Sequence, residues 1–221
     1  MADTLSLADP ERALAVTYAP QSARTALAAL FALDERFGQI VASTSEPMIG
    51  LMRLAWWRAA LEKLDRDPAP AEPLLRILAH HVLPLGVTGG QLAAIEDGWA
   101  ALIDGEADEG AIARHGRERG GNLFAVASTI LATDDRRLPA AGEVWALADL
   151  GFRHSKPDVR VAARRRAVLL AKSITDGGWP IAARALAALY VLAKRDAKRG
   201  ERTQGAPARL LRMLALRLIG R

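Results

Sequence analysis

The chain contains no cysteine, which excludes disulfides, thiol catalysis and every zinc site that needs sulfur, so any chemistry must rest on carboxylates, arginines and histidines. The four histidines, His80, His81, His115 and His154, have no metal-ligand spacing. They read as surface or boundary residues, and the adjacent His80 and His81 point in different directions on a helix. No Gly-x-Ser-x-Gly elbow, phosphate-binding Gly-x-x-x-x-Gly-Lys or dinucleotide glycine fingerprint occurs. Asp176-Gly-Gly-Trp-Pro180 is a turn and helix start rather than a phosphate cradle, because it follows a helix and has no companion strand. The acidic stretch Asp104 to Glu109 falls in a turn, where carboxylates are ordinarily solvated.

Two charges are set apart by the pattern around them. Residues 46 to 65 form an amphipathic helix in which Ile49, Met52, Leu54, Trp56, Trp57, Leu61 and Leu64 share one broad arc, with Arg58 and Glu62 on the wet side. Arg53 falls inside the apolar arc and needs an anionic partner there. The preceding helix, Gln21 to Ser43, carries Asp34 inside its own stripe of Leu27, Leu30, Leu33, Phe37, Ile40 and Val41. A short turn at Thr44 to Pro47 would set the helices antiparallel, so Asp34 and Arg53 are expected to form a buried structural ion pair. The alternative is that Arg53 snorkels past the core to water. Trp56 and Trp57 are candidates to line an apolar ligand cavity, although aromatic residues on a helix face more often belong to the core.

The elements that must position these residues are helical throughout. Half the residues are hydrophobic, aromatics make up only 5%, and no stretch alternates with period two for long enough to make a sheet. Gly, Pro and Asp-Gly-Gly signals separate about nine or ten helices of an all-α, single-domain bundle spanning residues 1–221. Gly120 and Gly121 interrupt a helix running from about Ala111 to Ala132, which permits a kink or the close approach of a ligand or another helix. Charge is divided: residues 1–150 carry 13 Lys and Arg against 21 Asp and Glu, residues 151–221 carry 17 against 4. A polyanion is the partner this implies, whether anionic lipid, diphosphate or nucleic acid. The helix at 207–219 is basic and amphipathic, with Arg209, Arg212 and Arg217 on one side and Leu210, Leu211, Leu214 and Leu218 forming much of the other. Its leucines are expected either to pack on the bundle or to enter an anionic membrane surface. The acidic N-terminus has no secretion-signal pattern and no apolar run is long enough to span a bilayer, which predicts a cytoplasmic protein, with peripheral binding at the inner face of the membrane left open.

The order of motifs resembles the squalene and phytoene synthase family of head-to-head prenyltransferases. The matching pieces are Ala28-Ala-Leu-Phe-Ala-Leu33, Pro47 to Lys63 with Met52-Arg-Leu-Ala-Trp-Trp-Arg58, the helix around Gly120 to Leu131, and Gly142 to Asp149. The Arg-Leu-x-Trp-Trp-Arg piece is similar to the divergent branch that contains mitochondrial assembly factors of respiratory complex I. The resemblance implies an isoprenoid synthase fold with a central cavity. Active members hold Mg²⁺ with two Asp-x-x-x-Asp motifs on opposite walls, because the departing diphosphate needs its charge neutralised. Ungapped alignment places Gly38 and Ala42 at the first motif, and Phe152 and Lys156 at the second. None can ligate a metal, and neither Asp34, Asp149 and Asp158 nor the acidic turn restores the paired spacing. No catalytic residue, metal site or cofactor is therefore expected. Arg24 and Arg36 are the candidates for the family's diphosphate-gripping basic residues.

Three functions follow from these readings. The first is a noncatalytic family member that acts by binding, with an anionic membrane surface, a respiratory-complex subunit, or an isoprenoid or lipid ligand as partner. The second is an active Mg²⁺-dependent prenyltransferase for squalene, carotenoid or hopanoid precursors, with metal ligands from unaligned positions. Two carboxylates facing each other across the central cavity would favour it. The third is nucleic-acid binding, which the basic C-terminal third suggests but which lacks aromatic stacking positions and any recognised motif.

Overall fold

The computed structural model describes residues 5–103, 106–175 and 177–220. Helices α1 (Pro10–Tyr18), α2 (Gln21–Ser43) and α3 (Pro47–Lys63) begin as the proline and capping signals require. Asp9 caps α1 by accepting from the backbone N–H groups of Glu11 and Arg12, at 2.9 and 3.3 Å. Next come α4 (Pro73–His81), a 3₁₀ turn at Leu83–Leu85, α5 (Gly89–Ala93) and α6 (Glu96–Ala100). Thr88 and Gln91 form a reciprocal capping box at α5. A continuous helical run follows, made of α7 (Glu109–Arg114), a π-helical segment at His115–Gly121 and α8 (Asn122–Ile130). The chain continues through α9 (Leu138–Arg153), α10 (Pro157–Ala171), a 3₁₀ turn at Ile181–Ala183, α11 (Arg184–Arg199) and α12 (Pro207–Ile219). The described residues contain no strand, and counting α5 with α6 and α7 with α8 as broken single helices leaves ten.

One continuous core runs from Ala15 on α1 to Leu216 on α12. At its centre α9 is buried on nearly all sides, from Leu138 to Gly151, with α8, α10, α11 and the π segment packed around it. The paired glycines are where α9 comes closest. A Cβ on Gly120 would lie 2.1 Å from the carbonyl oxygen of Gly142, and a Cβ on Gly142 would lie 2.1 Å from that of Gly120. On the other side of the same segment, a Cβ on Gly98 of α6 would meet the backbone nitrogen of Arg119 at 2.3 Å. Three glycines thus let α6 and α9 press directly on the π segment, and Gly120 answers the sequence ambiguity: its neighbour is a helix.

Helix α3 departs from the expected pattern. Gly50, Leu54, Trp57, Ala60 and Leu61 are buried, whereas Ile49, Met52 and Trp56 from the same apolar arc are 47%, 66% and 51% exposed. The arc is wider than the face α3 can bury, because α2, α5 and α6 cover only one side of it. Arg58 is not fully wet either: its Nε donates to Glu96 at 2.9 Å, and it also pairs with Asp97 and, at 3.7 Å, with Glu62. The helix start expected at Trp179 and Pro180 comes later, since α11 begins at Arg184 after one 3₁₀ turn. Asp104 of the acidic turn lies outside the described residues, and Asp108 caps α7 by accepting from Ala111 N–H at 2.7 Å.

The glycine contact is testable against its own neighbour. Gly120→Ala should destabilise the fold by about 3 kcal/mol, because the added methyl meets backbone that cannot rotate away. Gly121→Ala meets nothing nearer than 3.7 Å and should be neutral or stabilising by up to about 1 kcal/mol through helix propensity. Urea unfolding of both variants measures the difference, and equal effects would contradict this packing.

Candidate functional site: a buried charge network

Asp34 lies on α2 with no exposed surface, and its two oxygens receive four donors. Arg119 donates from Nε to Oδ1 at 2.8 Å and from Nη2 to Oδ2 at 2.9 Å, Arg12 donates from Nη1 at 2.9 Å, and the Trp99 indole donates at 2.9 Å. The expected pairing with Arg53 is therefore corrected. Arg53 is exposed, at the edge where the α2 and α3 faces diverge, while Asp34 turns inward to arginines from α1 and the π segment.

Asp149, on α9, faces Asp34 across the same guanidinium. Arg119 Nη2 donates to its Oδ2 at 3.0 Å, and Arg153 and Arg202 each donate to its Oδ1 at 2.8 Å. Burial alone would raise both carboxyl pKa values, but the Arg119 charge and then the other arginines outweigh it, holding Asp34 below and Asp149 well below the ordinary carboxylate range. Arg119 itself is 1% exposed. Burial works against its charge, yet the two carboxylates outweigh that and hold its proton more tightly than usual. Its guanidinium carbon sits 4.2 Å from the Trp99 ring centroid and 4.7 Å from that of Trp145, so the cation is held between two aromatic rings.

His115, one turn before Arg119 on the π segment, completes the shell. Its Nδ1 lies 2.7 Å from the Gly98 carbonyl oxygen and its Nε2 lies 3.2 Å from Arg119 Nη1. A carbonyl can only accept and a guanidinium can only donate, so the proton is on Nδ1 and the ring is neutral. Burial, and then the Arg119 charge, push its pKa down to about 3.

A second cluster closes the network toward the C-terminal helix. Arg209 of α12 grips Glu11 through Nε at 2.6 Å and Nη2 at 2.9 Å, and pairs with Asp196 of α11. Arg202 approaches Asp9 at 3.8 Å and Asp196 at 4.0 Å besides bonding Asp149. A small, partly open pocket of about 20 Å³ beside this cluster is lined by Asp9, Glu11, Asp149, Asp196, Arg202 and Arg209 among others and is of the size of a single water.

The other sequence candidates are not brought into this interior. Arg24 donates to the carbonyls of Ala19 and Thr17 at 3.1 and 2.8 Å and so caps the end of α1. Arg36 stacks over the buried Trp57 at 5.7 Å, lies 3.9 Å from Glu72, and shares an open surface groove of about 460 Å³ with Gln39, Ile40, Ala42, Ser43 and Arg53. Trp57 is core, edge-on to Phe37 at 6.2 Å, while Trp56 faces outward. The two tryptophans therefore line no common cavity. Arg119, Arg12 and Trp99 were missed from the sequence, and His115, expected at the surface or a boundary, is fully buried. The available signal was Arg119 beside Gly120, a charge at the point where a helix gives up side chains for close packing.

The residues do not fit a family metal. Gly38, at the first motif, is covered by the Trp99 ring, with Cη2 only 3.0 Å from where a Cβ would stand. Phe152, at the second, lies 5.6 Å beneath the Arg164 guanidinium, and Lys156 is exposed at the start of α10. Among the described residues no three His, Asp or Glu side chains are grouped as metal ligands.

His115 gives the network a pH signature. Its folded pKa is depressed, so the stability it contributes is complete above about pH 6.5 and is lost as pH falls toward about 3, where the folded ring would also protonate. Between pH 6 and 4.5 the protein should lose up to about 1.4 kcal/mol per pH unit more than a His115→Gln variant does. Urea unfolding at stepped pH measures both slopes, and parallel slopes would contradict a buried neutral imidazole.

Among known families, the model described as squalene/phytoene synthase matches residues 5–138. The match covers α1 to α8, with Asp34, Trp99, His115 and Arg119, and stops where α9 begins, before Asp149. Comparison with curated proteins and with solved structures gave no significant match. With a family model spanning more than half of an all-helical chain, this protein belongs to the squalene/phytoene synthase family and has its isoprenoid synthase type of helical fold.

Proposed function

We propose that the chain is a noncatalytic member of this family that acts by binding. The observation that carries the proposal is the guanidinium of Arg119 between Asp34 and Asp149, at 2.9 and 3.0 Å from one shared nitrogen. Facing carboxylates are what an Mg²⁺-dependent transferase would need, and they favour the transferase reading until their partner is considered. A permanently charged side chain neutralises them in place of a metal, and their lone pairs are taken by seven hydrogen bonds from arginines and Trp99. Expelling Arg119 to admit a metal would strand a second buried charge.

The exposed side of α3 supports a role through binding. Met48, Ile49, Met52 and Trp56 form a stripe at helical spacing that is 47% to 68% exposed, and flexible methionines beside an aromatic anchor suit a partner surface. We extend the proposal to assembly of a respiratory complex, on the resemblance of Met52-Arg-Leu-Ala-Trp-Trp-Arg58 to the complex I assembly branch. No cofactor is required for such a role. Nucleic-acid binding finds less support, because Arg12, Arg119, Arg202 and Arg209 are committed to internal carboxylates.

Purified protein supplied with Mg²⁺ and farnesyl or geranylgeranyl diphosphate should release no diphosphate above the protein-free background. A coupled phosphate assay measures this. Release that chelator abolishes would establish the transferase reading instead.

A further inference from the structure

Helix α12 is turned opposite to the simplest amphipathic expectation. Met213 and Leu216, 1% and 2% exposed, pack inward together with the Arg209 clasp, whereas Leu211, Leu214 and Leu218 are 65%, 42% and 70% exposed. At 100° per residue these three leucines span only about 60° of the outer face, so they form a continuous ridge along the helix. Arg209 is thus removed from the basic face that the sequence suggests, and of the four leucines expected on the opposite face only Leu210 is half-buried, while Leu211, Leu214 and Leu218 stay exposed.

Both edges of the ridge are cationic. On one side, desolvation and then the charges of Arg199 on α11 and Arg212 on α12 weaken the hold of Arg195 on its proton. On the other, Arg217 extends over the Tyr18 ring at 4.9 Å. These arginines belong to the 71-residue stretch with 17 Lys and Arg against 4 Asp and Glu. None of Arg195, Arg199 and Arg212 makes a salt bridge to a carboxylate among the described residues.

We infer that the outer face of α12 is a docking surface for an anionic lipid bilayer, with the leucine ridge entering the headgroup boundary and the flanking arginines contacting lipid phosphates. Charge complementarity selects this occupant: a cationic rim around a narrow apolar ridge matches a surface that is anionic outside and apolar beneath. No described helix is long and apolar enough to cross a membrane. The inference is independent of whether the core is catalytic.

Sedimentation with vesicles of phosphatidylcholine, with and without phosphatidylglycerol, tests it. The full chain should pellet with the anionic vesicles, stay in solution with neutral ones, and be released as salt rises. Leu211→Gln with Leu218→Gln, and separately Arg199→Gln with Arg212→Gln, change only exposed side chains and should keep the wild-type circular dichroism. The arginine pair should weaken binding about fivefold per residue, and the leucine pair should abolish pelleting. Equal binding to neutral vesicles, no binding to either, or undiminished binding by the leucine pair would overturn the inference. So would concentration-dependent dimerisation that the leucine pair abolishes, which would assign the ridge to a second copy of the chain.

Discussion

A guanidinium with 1% of its surface exposed can persist only where fixed negative charge surrounds it, and the surroundings of Arg119 account for much of this architecture. Asp34 must come from α2 and Asp149 from α9, Trp99 and Trp145 must cover the two faces of the cation, and His115 must present a lone pair rather than a proton. The backbone is shaped to allow this. The π segment carries His115 and Arg119 on one side, and glycines at 98, 120 and 142 let α6 and α9 close on it at distances no other residue permits. Charge and packing are coupled here: the close helix contacts exclude water from the network, and the network compensates the desolvation that they impose.

The same arrangement relates fold to function. Members of this family that transfer prenyl groups place carboxylates on opposite walls of a cavity to hold Mg²⁺. Here the opposed carboxylates are bridged by an arginine from the chain itself, Gly38 is covered by an indole, and the small pocket beside the network is of the size of one water. Exposed apolar side chains lie elsewhere, on the outer faces of α3 and α12, at helical spacing.

Much of the fold was legible in the sequence because its signals are local. Pro10, Pro47, Pro157 and Pro207 open α1, α3, α10 and α12, and the family model spans α1 to α8. The burial of Asp34 was legible too, as a charge inside an apolar stripe. Its partner was not, because helical periodicity says which residues turn inward but not which distant helix they meet, and Arg119 is 85 residues away. The Arg53 pairing failed for a related reason: α3 is apolar over a wider arc than its neighbours cover, so a position inside the arc was not a position inside the protein. The orientation of α12 was hidden likewise, since Arg209 pairs inward with Glu11 and Asp196 while Leu211, Leu214 and Leu218 face out, an orientation set by tertiary charge pairing.

Arg119 is the resident cation of the core. Urea unfolding of an Arg119→Met variant, with and without millimolar Mg²⁺, tests this most directly. Removing the guanidinium leaves Asp34 and Asp149 buried with less compensation, so a loss of about 3–5 kcal/mol that Mg²⁺ does not restore is the predicted result. A loss under about 1 kcal/mol, or wild-type protein stabilised by Mg²⁺ through these carboxylates, would contradict it.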